Sequence, residues 1–203
     1  MYYDADKNDH GLPHDPFKAL VAPRPIGWIS SRNLAGQVNL APYSYFNAIC
    51  DRPKLVVFSS SFGAKDSATF AQESGEFVAN FVSAPLASQM NASSIDAPRG
   101  VSEFDLTGLH EAPCQRVAVP RVAEAYAALE CKVTQVIVPR TLAQTDADAV
   151  LIFGQVVGVY LNEAILTEGL VDVSKARPVS RLGYFDFAVT TETFRMLRPR
   201  WGG

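Results

Sequence analysis

The chain has 203 residues, 48% hydrophobic and 19% charged, the balance of an ordinary folded protein and far from that of a disordered one. A formal net charge of −3, with lysines and arginines scattered along the chain, offers no footprint for a nucleic-acid backbone, and no run reaches the roughly 18 apolar residues of a membrane-spanning helix. The length suits a single domain over 1–203, and the polar, acidic start MYYDADKNDHGLPHDPF, unlike a secretory leader, points to the cytoplasm. The cysteines Cys50, Cys114 and Cys131 form no CxxC pair and are expected to be reduced, acting as small hydrophobes.

In chain order, short runs rich in Val, Ile, Phe and Tyr predict strands over 26–31, 55–60, 76–83, 130–139, 149–161 and 183–190. The 76–83 run alternates, with Phe77, Ala79 and Phe81 on one face and Val78, Asn80 and Val82 on the other. Short helices are expected over 65–74 and 86–94. Strands outnumber helices and do not alternate with them, so the fold class is mainly β, a barrel or sandwich with helical excursions, and not a doubly wound parallel sheet.

Two segments carry candidate chemistry. In PRPIGWISS (23–31), two prolines hold Arg24 in extended backbone, and the nearby NLAPYSYFN (39–47) mixes aromatic rings with Ser44 and Asn47. Such a mixture suits a planar heterocycle with polar edges, or fills a barrel interior. In SSSFGAKDS (59–67), three hydroxyls leave a strand, Gly63 allows a turn, and Lys65, Asp66 and Ser67 open a helix. A helix N-terminus with a cation and hydroxyls makes a phosphate site; the same residues also serve as a plain cap, with Ser61 or Ser67 satisfying backbone donors. There is no GxxxxGK[ST], so a nucleoside triphosphate is not implied.

Other chemistries find less support. His10 and His14 stand four apart, but Gly11 and Pro13 between them disfavour the helix that a metal pair needs. GxSxG is absent, and so is GxGxxG, which leaves no separate dinucleotide domain. The charged stretch 96–105, with Asp96, Arg99, Glu103 and Asp105, reads as a solvated loop or as a lid over a site.

RPIGWISS, NLAPYSYFN, the later KDS and GEFVANFV occur in one order with short spacings, and together they resemble the flavin reductase-like family of FMN-binding split-barrel proteins. The resemblance is strong over 23–80 and looser to Tyr184. It implies a homodimer with FMN near the subunit interface. It also implies a flavin site in which Ala41, Ser44, Phe46 and Asn47 lie along the ring, while Ser60, Ser61, Lys65, Asp66 and Ser67 meet the ribityl chain and phosphate. Arg24, Trp28 and Tyr184 complete that set, although RLGYF has Tyr184 where the family pattern has a second glycine. The implied activity is a flavin reductase, with NADH or NADPH as transient hydride donor and a monooxygenase component among its conceivable partners. An FMN-retaining carrier or reductase of another substrate, and a non-enzymatic flavin-binding protein, are the alternatives.

Overall fold

The computed structural model describes residues 1–61 and 65–202. It is mainly β, with 37% strand against 17% helix. The first half of the chain forms α1 (Phe17–Leu20), β1 (Arg24–Pro25), β2 (Gly27–Arg32), β3 (Val38–Tyr43), β4 (Phe46–Asp51), β5 (Lys54–Ser60), α2 (Asp66–Ser74), β6 (Glu76–Asn80) and α3 (Ala87–Ala92). The second half adds α4 (Glu103–Thr107), β7 (Glu111–Ala112), β8 (Arg121–Val122), β9 (Ala127–Ile137), β10 (Val150–Leu161), β11 (Leu166–Thr167), β12 (Leu170–Val171), α5 (Val173–Ala176), β13 (Val179–Arg181) and β14 (Phe187–Val189).

Seven strands make one sheet in the order β3-β2-β6-β9-β10-β5-β4, with every neighbouring pair antiparallel. Its two edges, β3 and β4, are consecutive in the chain and joined only by Ser44 and Tyr45. Laid flat, seven strands would set those edges about 29 Å apart, whereas the link from Tyr43 to Phe46 reaches about 11 Å at most. The sheet must therefore curl until its edges meet, which is the split barrel. Gly27 marks the meeting: a Cβ there would stand 2.6 Å from the Phe46 ring, so β2 and β4 approach this closely only because the side chain is missing.

The barrel interior holds Ile29, Phe58, Phe77, Cys131 and Ile152, with Ala68 and Ala71 of α2 packed among them. A second core lies on the other face of β2, where Trp28 and Leu40 meet Met90 of α3 and Phe104 of α4. Burial on both faces sends Trp28 into the outer core and Ile29 into the barrel, while the buried Ser30 hydroxyl donates to Pro120 O at 2.6 Å. Helix α2 stops at Gly75, whose φ of +71° ends the turn and releases the chain into β6.

Several expected bounds shift. The 76–83 strand ends at Asn80, beyond which Phe81 N donates to Ala127 O and Ser83 only bridges Pro178. Of 183–190 only β14 is strand, because Asp186 N donates to Gly183 O and closes a turn first. The 86–94 helix begins as a tight 84–86 turn carrying Pro85. Strands β3 and β4, and helix α4, were not among the predicted elements. All three cysteines are free; Cys131 packs in the barrel core, while Cys50 is exposed on β4, where it does not act as a buried hydrophobe. Among the described residues no helix is long and apolar enough to cross a membrane.

Candidate functional site

The seam of the barrel and the start of α2 enclose a cavity of about 470 Å³. Its fixed wall is the end of β3 and the turn that follows, Ala41 to Tyr45, facing Ser59, Ser60 and Ser61 at the end of β5. Ser60 is 3% exposed and its Oγ is buried without a hydrogen-bond partner among the described residues, a hydroxyl of the kind that a bound polar group satisfies. At the foot of the cavity Lys65 stands in extended backbone as the N-cap of α2, and among the described residues no side-chain cap bond closes the helix start. The first-turn N–H groups and the positive end of the dipole are thereby left for a ligand. The plain-cap reading of this segment does not describe Ser67, whose Oγ donates to Asn39 Oδ1 at 2.5 Å. The turn expected at Gly63 lies outside the described residues.

A buried polar chain ties the site together. Asn39 Nδ2 donates to Glu103 Oε2 at 2.9 Å, and Leu40 N donates to the same oxygen at 2.8 Å, so α2, β3 and α4 are linked through Ser67, Asn39 and Glu103. Burial pushes the Glu103 carboxyl above its ordinary value, against the opposing pull of the Leu40 hydrogen bond. Above this chain, residues 94–99 cross the cavity mouth as a strap. Lys65 Nζ donates to Asp96 Oδ1 at 2.9 Å, and Arg99 reaches Asp66 Oδ1 with Nε at 2.9 Å and a terminal nitrogen at 2.8 Å. The hydrogen bond between them raises the Lys65 pKa and lowers that of Asp96. The charged stretch 96–105 thus divides: Asp96 and Arg99 are exposed strap residues, whereas Glu103, 5% exposed, is built into the site.

Of the residues expected in a flavin site, the cavity gathers Ala41, Ser44, Ser60, Ser61, Lys65, Asp66 and Ser67. It does not gather the other five. Trp28 is wholly buried in the outer core, where its Nε1 donates to Ser93 Oγ at 2.9 Å. Phe46 turns toward Gly27, and Asn47 is exposed on β4 with its Oδ1 accepting from Ala48 N. Arg24 and Tyr184 border an adjoining cavity of about 620 Å³ that shares Ser44 and Tyr45 with the first. Asn39, Tyr43 and Glu103 are lining residues that were not singled out as ligands. Asn39 and Tyr43 stood inside a quoted motif, but nothing local in the sequence tells which side of β3 faces a cavity.

Together these features fit FMN. The volume lies in the range of small-molecule sites, a cation and an open helix start suit the phosphate, and an unpartnered hydroxyl suits the ribityl chain. The family model of the flavin reductase-like domain matches residues 20–180. The chain belongs to the flavin reductase-like family. An uncharacterised protein of Halalkalibacterium halodurans is 37% identical over 183 residues, covering 88% of this chain and 87% of its own. Among solved structures, nitrilotriacetate monooxygenase component B of Bacillus cereus superposes with a TM-score of 0.86 at 28% identity, over 97% of this chain and 98% of that one. The 2-nitrobenzoate 2-nitroreductase of Pseudomonas fluorescens gives 0.84 at 28% identity, over 99% and 98%. A flavin reductase-like protein with a split-barrel domain from Shewanella frigidimarina, at 17% identity and a TM-score of 0.83 over 98% and 100%, shares the split-barrel fold.

Proposed function

We propose that this flavin reductase-like protein binds FMN in the seam cavity and acts as an NAD(P)H-dependent flavin reductase. The observation that carries the reading is the uncapped start of α2, with Lys65 beside it and the orphaned Ser60 hydroxyl opposite, at one end of a cavity walled by small and aromatic residues. FMN, when bound, supplies a flavin N5 that accepts hydride from a reduced nicotinamide. Lys65 and the first-turn N–H groups of α2 hold the phosphate; Ser60, Ser61, Asp66 and Ser67 meet the ribityl hydroxyls; Ala41 and Ser44, both small, leave room for the ring. Trp28 and Phe46 back that wall from the core. Asp96 must yield Lys65 to the phosphate, so binding loosens the strap. With no GxGxxG dinucleotide motif in the chain, the nicotinamide enters by the same opening.

The deciding experiment is an absorbance spectrum of the purified protein with added FMN, followed by anaerobic NADH or NADPH. A bound flavin band that bleaches supports the reading and identifies the donor. No bound flavin overturns it.

The likeness to a nitroreductase favours a second reading, in which the protein keeps its FMN and reduces another substrate. Co-elution of FMN with the protein on gel filtration favours that reading, and release of reduced flavin favours the first. The likeness to a monooxygenase component supports such a partner for the first reading. We further propose one domain, a cytoplasmic setting and a homodimer. Exposed apolar side chains on three strands, Ile49, Val136, Ile137, Val159 and Leu161, support a second copy, and sedimentation equilibrium tests it.

A further inference from the structure

The cavity on the far side of the Ser44–Tyr45 seam has a chemistry of its own. His14 and Lys18 come to it from the N-terminal segment, Arg24 from β1, and Arg181 and Tyr184 from β13 and the turn after it. Three permanent cations face it, against the single carboxylate of Asp15, whose Oδ1 already accepts from Phe17 N at 2.9 Å. Among the described residues, none of Lys18, Arg24 and Arg181 forms an ion pair, although eight such pairs occur elsewhere in the molecule.

Arg24 is the telling member. It is only 7% exposed, its guanidinium donates to the carbonyls of Lys18, Val21 and Leu182, and its Nε is buried with no partner among the described residues. Carbonyls satisfy donors without cancelling the charge, and a buried cation without a counter-ion is costly. The same three bonds tie the N-terminal segment to the turn at Leu182, so the walls are positioned before any ligand arrives. Arg181 lies with its guanidinium carbon 4.6 Å from the Phe187 ring centre and donates to Tyr184 O. Besides Pro13, Ser44 and Leu182, the lining carries two aromatic rings and an imidazole: Tyr45 and Tyr184 are 44% and 45% exposed, and the His14 ring stands 5.7 Å from that of Tyr184. Tyr184 has a φ of +53°, a backbone conformation that is rare and strained for a bulky residue and that gathers at ligand sites.

We infer that this cavity binds a planar aromatic carboxylate, its anion met by Arg24, Arg181 and Lys18 and its ring lying between Tyr45 and Tyr184. Planar guanidinium groups match a carboxylate in geometry as well as charge. Because Ser44 and Tyr45 wall both cavities, the bound ring stands next to the flavin. That adjacency rests on the FMN reading; recognition of the anion does not.

The test is calorimetric titration of benzoate into the protein, once without flavin and once loaded with FMN. Wild-type protein should bind benzoate saturably in both states, and Arg181→Gln should weaken binding about ten-fold, the scale of one charge-assisted hydrogen bond. Lys18→Gln, at an exposed position, should weaken it in the same direction and keeps the test alive if the Arg181 variant does not fold. Benzamide and cyclohexanecarboxylate, lacking the charge and the aromatic ring respectively, should each bind more weakly. Absence of saturable benzoate binding, unchanged affinity in both variants, or displacement by equimolar inorganic phosphate overturns the inference. Should FMN not bind while benzoate binding and its loss in the variants persist, the flavin reading falls and the anion site stands.

Discussion

The wall of the seam cavity and the strap across its mouth are made by different forces. Six residue pairs hold β3 to β2, from Gly27 opposite Tyr43 to Arg32 opposite Val38, and Ser59 N donates to Tyr45 O at 2.8 Å across the seam. The strap meets α2 through two side-chain ion pairs, one of them with Lys65 51% and Asp96 91% exposed. A buried backbone ladder moves only when the fold does, whereas exposed pairs contribute about 0–1 kcal/mol each and are screened by salt. A cavity built this way has a rigid wall and a cover held by exposed ion pairs.

Breaking the wall from behind should have the largest effect. Trp28→Ala empties a fully buried position and is expected to cost about 3–5 kcal/mol of stability, read from denaturant midpoints. The milder Trp28→Phe should lower stability yet leave FMN affinity of the folded protein unchanged; a large affinity loss without destabilisation would instead make Trp28 a flavin contact. At the foot of the cavity, Lys65→Ala should weaken FMN by about 1–3 kcal/mol in a fluorescence titration, the scale of a charge-assisted hydrogen bond.

Glu103 anchors the wall from α4, accepting from Asn39 Nδ2 and Leu40 N, and its effect is one of pH. Its folded pKa is raised above the ordinary 4.5, so the folded state holds the proton more tightly than the unfolded chain does. The resulting stabilisation is complete below the ordinary value and is lost as pH rises through the raised one. Glu103→Gln should flatten that slope in urea melts taken from acid to neutral pH. An unaltered slope would assign it to other groups. The smallest effect is expected at the strap: Asp96→Asn frees Lys65 and should tighten FMN a few-fold at low salt, with the gain fading as salt is added.

Much of the wall and little of the strap could be read in the chain beforehand. Ala41, Ser44, Ser60 and Lys65 were recoverable because they sit in short motifs whose residue types suit a ring and a phosphate, and the core strands announced themselves by apolar runs. The pairs Lys65–Asp96 and Arg99–Asp66 join residues about thirty apart in sequence, and no local pattern selects one carboxylate over another. Trp28 shows the same limit from the other side. Its motif is shared with a flavin-binding family, but strand alternation points the indole away from the seam and into the outer core.

By itself, the sequence determined that the protein is mainly β and which family it resembles, and it pointed to 39–47 and 59–67 as the candidate site, since residue type and short spacing are local properties. Only the tertiary structure decided that β3 and β4 are opposite edges of one sheet, that a two-residue link draws those edges together, and that a second, cationic cavity opens on the other side of that link. These depend on which distant strands pair. Pairing is settled by burying both faces of β2 and β6 at once, a condition that no single segment of the chain contains.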